Sequence, residues 1–325
     1  MKVAFLFPGQ GSQTVGMGKD LYEKYEEVRN VYKKAKESTG IDVAKITFDS
    51  SMEDLSKTEN TQIAIATMSM GIVELLEKEK IKANIATGLS LGEYSALMYG
   101  GYLSLEDGMR LLKQRGYLMG NRIPDEKYAM AAIIGLENEK IEQICNDIQE
   151  KGLFVVPANY NYSDQIVISG NEEAIEQATE LLKEQGAKRI VRLKTGGPFH
   201  TSKLNKAKEE FKEELSKVEF KKGNVDVIKN IDGKIYTESD NMVEILSNHI
   251  VSSVRFDKAI ELMERQKIDT FIEIGPGSAL TGFIKKELKK QGKEANIMNI
   301  CDKYTFEQTV EFINQTKKEE KDGRE

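Results

Sequence analysis

A serine stands between two glycines at Gly88-Leu89-Ser90-Leu91-Gly92, after a short apolar run and before a helical one. Placed between a strand and a helix, G-x-S-x-G is the nucleophile elbow. Its turn is tight and strained, and the flanking glycines leave room for the backbone to fold back without side-chain collision. Ser90 would then project at the start of a helix, where first-turn N–H groups have no partner. The Leu91 N–H is one of these and could point at an oxyanion. The pentapeptide alone also arises by chance. Here its flanks supply the context that the pattern demands.

A serine hydroxyl needs a base, and the chain has two histidines, His200 and His249. His200 lies in LKTGGPFHTSKL, after the strand-like KRIVRL and before a helix, so glycine and proline place it in a shaped loop. His249 lies in EILSNHIVSSVRF, near the end of a helical run, where a structural or wall role fits as well as a catalytic one. Many carboxylates separate Ser90 from His200, and Asp164 is the most placeable of them. A backbone carbonyl would also serve, because the imidazole needs only a partner for its distal N–H. Two histidines without close spacing make a poor zinc site. The loops GQGSQ and GPG match no nucleotide-binding fingerprint. No metal and no resident cofactor are expected.

The elements that must position these groups read as an α/β protein. VAFLF (3–7) is continuously apolar, as a strand buried on both faces would be. Residues 84–87 form a second short strand, 91–99 a helix, and 105–121 another helix with Ser104 as its cap. Pro124 marks a change of character. Strands at 129–135, 153–160, 165–170 and 188–193 alternate with helices at 139–150 and 172–185. That is the β-α-β-β-α-β order of a ferredoxin-like unit. Helices near 62–77, 204–218 and 254–265 and a strand that runs into a glycine-proline loop over 270–277 complete a parallel sheet covered on both faces. In such sheets ligands sit at the carboxyl ends of the strands, where both glycine loops lie. The expected division is a large domain over 1–126 and 196–313, an inserted small domain over 127–195, and a polar tail over 314–325. The tail reads as a frayed helix end or a disordered terminus.

The chain of 325 residues carries a formal net charge of -6, which disfavours non-specific nucleic-acid binding. Its two cysteines, Cys145 and Cys301, make no disulfide framework. Pro8 and Gly9 break the apolar start too early for a secretory leader. No run of about 18 apolar residues suggests a membrane span. A cytoplasmic monomer is the expectation.

Several blocks in order carry a resemblance. They are FPGQGSQ (7–13), GLSLGEYSAL (88–97), QRG (114–116), MAAIIG (130–135), ANYN (158–161), QIVISG (165–170), GPFH (197–200) and EIGPGSALTG (273–282). Over roughly residues 1–312 the chain resembles the acyltransferase family of the malonyl-CoA:acyl carrier protein transacylases of fatty acid synthesis. Polyketide synthase acyltransferase domains share that family. The resemblance implies an α/β-hydrolase-like parallel-sheet domain with an inserted ferredoxin-like small domain. It implies that Ser90 is the nucleophile and His200 the base. It implies that the backbone amides of Gln10 and Leu91 hold the oxyanion, and that Arg115, rather than Arg110, pairs with the malonyl carboxylate. A planar guanidinium suits that task, since it offers two parallel hydrogen bonds. Phe199 would wall the acyl pocket and favour malonyl over branched units. Malonyl-CoA and acyl carrier protein are the implied partners, with coenzyme A entering only as the substrate thioester. An acidic carrier would suit a basic patch, for which Lys188, Arg189, Arg192 and Lys194 are candidates and a solvated edge strand the plainer reading.

The chain departs from the family pattern in two places. Leu89 stands where the family has histidine. His249 stands where it has glutamine, in a run that ends on Ser253 instead of proline. In the family the backbone carbonyl at position 249 orients the base. A backbone role survives the change of side chain, while an imidazole there could also attract the malonyl carboxylate. Two readings compete with acyl transfer. A serine esterase or thioesterase would use Ser90 and His200 without Arg115, and a carrier-binding module would never be acylated.

Overall fold

The computed structural model describes residues 1–194 and 197–322, with side chains to residue 319. Its strands are β1 (Val3–Phe7), β2 (Ile85–Gly88), β3 (Tyr128–Ile134), β4 (Val155–Tyr162), β5 (Gln165–Asn171), β6 (Arg189–Arg192), β7 (Asp226–Val227), β8 (Val254–Arg255), β9 (Thr270–Ile274) and β10 (Asn296–Ile300). The chain divides into two compact units. The first holds Met1–Gly116, Glu219–Lys229 and Leu262–Glu325, and the second holds Tyr117–Val218 and Asn230–Glu261.

The first unit is built on a parallel sheet of order β10-β9-β1-β2-β7. Every residue of β1, β2 and β9 is buried, which matches the continuous apolar run of β1 and requires cover on both faces. The helix Gly92–Tyr99 packs on β1 and β2, and the helices Thr58–Lys78 and Ala279–Lys290 pack on β9. Because β1 and β2 pair in register up to Phe7 opposite Gly88, their two carboxyl-end loops start side by side. The strands β7 and β10 and the helices Val43–Asp49 and Ala279–Lys290 were not read from the sequence. β7 has only two residues, and β10 is largely half-buried, so neither carries a long apolar run.

The second unit is built on a mixed sheet of order β6-β3-β5-β4-β8. Its first four strands are the antiparallel set of a ferredoxin-like fold, with Ile133, Ile144, Ile166, Ile168 and Leu182 in the core beneath them. β8 adds a fifth strand, parallel to β4, with Asn159 opposite Val254 and Tyr160 opposite Arg255. That pairing draws residues 230–261 into this unit. The helix Asn205–Leu215 packs on the helix Met242–His249 and belongs here as well. The second unit is therefore larger than the 127–195 insertion expected from the sequence, and it takes in His200 and His249. The sequence read one helix over 254–265, whereas the chain makes β8 first and then the helix Phe256–Arg265. Thr195 and Gly196, at the expected boundary, lie outside the described residues, as do the last three residues of the polar tail. The rest of that tail continues the helix Lys303–Asp322. Among the described residues no helix is long and apolar enough to cross a membrane.

Candidate active site

In the first unit the turn between β2 and the helix Gly92–Tyr99 is set by backbone contact. A Cβ on Gly92 would lie 2.1 Å from the Phe7 carbonyl oxygen, and one on Gly88 would lie 2.1 Å from the Gly92 carbonyl carbon. Neither neighbour can yield, because both are main chain. The serine between them sits at φ 55°, a left-handed conformation that is strained for a residue with a side chain. The Leu89 N–H donates to the Phe7 carbonyl at 2.9 Å, which ties the turn to the end of β1.

The loop after β1 closes against the same turn. A Cβ on Gly9 would lie 2.7 Å from the Leu89 carbonyl oxygen. The loop is held by its own side chains: the Gly11 N–H donates to Gln13 Oε1 at 2.7 Å, and Ser12 Oγ donates to the Gly9 carbonyl at 2.9 Å. Gln10 stands at its tip, with Nε2 at 3.5 Å from Thr58 Oγ1. No backbone acceptor among the described residues takes the N–H of Gln10 or of Leu91. Gln13 was not singled out in the sequence, although a glutamine two residues past a loop glycine is placed to bond that loop's N–H. The loop after β9 meets this loop too. A Cβ on Gly275 would lie 2.7 Å from the Pro8 ring, and Ser69 Oγ donates to the Ile274 carbonyl at 2.8 Å. Glu273, the buried carboxylate of EIGPGSALTG, accepts from the N–H and the hydroxyl of Thr281, each at 2.8 Å, and so caps the next helix. Burial pushes its pKa above the ordinary carboxylate range, against the pull of those bonds.

Arg115 lies on the helix Leu105–Asn121 and is completely buried. Its Nη2 donates to Ser90 Oγ at 3.0 Å and its Nη1 to Gln62 Oε1 at 2.8 Å. The guanidinium carbon lies 5.4 Å from the centre of the Tyr94 ring. Its Nε has no hydrogen-bond partner among the described residues. Burial lowers the pKa of the group, and Tyr94 and Glu93 oppose that shift. Arg110, one turn earlier, is exposed and pairs with Asp107. Gly116 lets this helix approach the start of the helix Thr58–Lys78, since a Cβ there would lie 2.7 Å from the Glu59 Cα. That approach brings Gln62 to Arg115. Gln62 was read in the sequence only as a helix start. A signal was available, because it is a polar residue that opens a long apolar stretch.

In the second unit His200 follows Pro198 in a turn, at φ 59°. Its Nδ1 lies 2.9 Å from the His249 carbonyl oxygen. A carbonyl can only accept, so Nδ1 carries the proton and the lone pair of the neutral ring is on Nε2. The third member left open in the sequence is thus a backbone carbonyl. Asp164 sits in the turn between β4 and β5, where its own carbonyl accepts from the Gly135 N–H. The His249 carbonyl is available because the helix Met242–His249 ends at that residue and its last carbonyls have no intrahelical donor. The His249 ring also packs on the His200 ring, with centroids 5.2 Å apart and planes at 29°. Ser253 donates through Oγ to the Pro157 carbonyl at 2.7 Å. Pro157 marks a register shift in β4, and the bond ties the segment after His249 to that strand. Phe199 is buried beside His200 in sequence, with its ring edge 2.9 Å from where a Gly197 Cβ would be.

Among the described residues no cluster of three or more His, Cys, Asp or Glu is placed to hold a metal ion. Of the basic candidates on the edge strand β6, Arg192 pairs with Glu172 and Glu176, and Arg189 points to the opposite side of the strand by alternation.

Against known proteins, residues 4–322 match the acyl transferase domain family. The chain is 38% identical over 322 residues to a malonyl CoA-acyl carrier protein transacylase of Bacillus subtilis, covering 99% of each. Its fold is similar to the crystal structure of a malonyl CoA-acyl carrier protein transacylase from Clostridium perfringens, with a TM-score of 0.92, 40% identity and 98% of each chain covered. It is also similar to a malonyl-transacylase solved in complex with its type II PKS acyl-carrier protein, with a TM-score of 0.90 and 31% identity, over 96% of this chain and 99% of that one.

Proposed function

The chain belongs to the acyl transferase domain family, and on that footing we propose that it transfers the malonyl group of malonyl-CoA to the phosphopantetheine thiol of acyl carrier protein through an acyl-Ser90 intermediate. The observation that carries the malonyl reading is Arg115. It is a fully buried cation whose hydrogen bonds go to two neutral groups, the serine of the elbow at 3.0 Å and Gln62 Oε1 at 2.8 Å. A buried charge is costly unless it is paired, so the site asks for an anionic acyl group. Malonyl supplies a carboxylate, and acetyl does not.

Ser90 Oγ attacks the thioester carbonyl carbon and His200 Nε2 takes its proton. The amides of Gln10 and Leu91 hold the oxyanion as it forms. The C–S bond breaks, and the coenzyme A sulfur leaves with the proton from His200. In the second half the carrier thiol gives its proton to His200 and its sulfur attacks the acyl ester. The C–O bond breaks, and Ser90 Oγ takes the proton back. Arg115 holds the malonyl carboxylate through both halves, and Phe199 walls the acyl pocket. The His249 carbonyl keeps His200 in the tautomer that both halves need. Coenzyme A enters as substrate, and we assign the chain no resident metal or cofactor. A cytoplasmic monomer is part of the same reading.

Intact mass after incubation with malonyl-CoA and an acid quench tests it. Wild type should gain one malonyl-sized adduct that holo acyl carrier protein clears, and Ser90→Ala should gain none. An adduct that forms only with acetyl-CoA would overturn the malonyl assignment. An adduct cleared by water as fast as by carrier would make the chain a thioesterase.

A further inference from the structure

We infer that the His249 side chain is a second positioning element for His200, acting through the face of its ring. This rests on the proposed role of His200 as the base. The backbone carbonyl of the same residue fixes the His200 ring only at Nδ1, 2.9 Å away. That bond acts on the edge of the ring and leaves its face to other groups. The His249 ring lies along the face of His200, with a centroid distance of 5.2 Å and planes at 29°, and both residues are buried. Edge and face together leave the imidazole one orientation.

The stack does a second thing when the base is charged. Each half-reaction puts a proton on His200 and makes it an imidazolium. A cation within about 6 Å of an aromatic ring centre is attracted by the ring's face. A neutral His249 ring is inside that range. It favours the charged form that exists only while a proton is in transit, so it lowers the barrier without tightening the binding of substrate. A glutamine at 249 would keep the carbonyl and lose the face. The two functions of this residue are therefore separable by substitution.

The experiment is single-turnover acylation by malonyl-CoA, followed by rapid quench and intact mass, on wild type, His249→Gln, His249→Phe and His200→Ala. Melting curves confirm that each variant is folded. His249→Gln should acylate about 5-fold more slowly at saturating malonyl-CoA, with the half-saturating concentration unchanged. His249→Phe restores a ring face without a titrating group and should stay within about 2-fold of wild type. If phenylalanine lowers the melting temperature, His249→Tyr replaces it as the ring-bearing variant. A glutamine variant as fast as wild type, or ring-bearing variants as slow as glutamine, would overturn the inference. His200→Ala separates the two readings. If it acylates normally, His200 is not the base and the proposed mechanism falls. If it is inactive while position 249 has no effect, only the role of the His249 ring is lost.

Discussion

The surroundings of Ser90 and those of His200 are built in opposite ways. Around Ser90 the constraints are main chain against main chain. Gly92 has the Phe7 carbonyl where its Cβ would be, Gly88 has the Gly92 backbone, and Gly9 has the Leu89 carbonyl. Nothing there can be relieved by a rotamer change. Around His200 the constraints are single contacts from distant residues: a carbonyl at a helix end, a ring face, and a hydroxyl that ties Ser253 to β4. The comparison teaches that the nucleophile is held by strand geometry that tolerates almost no variation. The base is held by parts that can be exchanged one at a time, among them the His249 ring and the Ser253 hydroxyl.

Gly92→Ala tests the rigid side most severely. Its methyl group would meet two main-chain carbonyls, so we expect a loss of about 3 kcal/mol or more in denaturant unfolding, together with loss of acylation. A folded and active alanine variant would break the contrast at once. Arg115→Lys comes next. It keeps a charge but loses the planar fork, and the half-saturating concentration of malonyl-CoA should rise roughly 10- to 100-fold. Acylation by acetyl-CoA should not weaken with it, and equal losses for both thioesters would point to a packing role for Arg115. Ser253→Ala should do least. It removes one hydrogen bond, worth about 1 kcal/mol of stability, and it should slow acylation less than His249→Gln does. A collapse of activity at position 253 would show that the His200 side is as intolerant as the Ser90 side.

The same contrast explains what could be read in advance. β1 was visible because a strand buried on both faces is apolar throughout, and the elbow was visible because two glycines four residues apart around a serine record a backbone constraint locally. The helix over 105–121 was visible from its cap and its spacing. The two-residue strands β7 and β8 were not, since they exist only through their partners. β8 explains the domain boundary as well. Its pairing with β4 carries residues 230–261 into the second unit, and no composition change near Asn230 announces it.

By itself the sequence determined the two sheet types, the strained serine, the candidate base and the choice of Arg115 through its family likeness. Those features are written in short-range patterns, in which a residue type and its neighbours fix backbone and chemistry together. Tertiary structure alone decided that the His249 carbonyl meets Nδ1 of His200. It also decided that Gln62 and Ser90 share the guanidinium of Arg115, and that the His249 ring lies on the base. Each of these contacts joins residues at least 25 positions apart, and such distances close only when packed helices and paired strands bring their ends together.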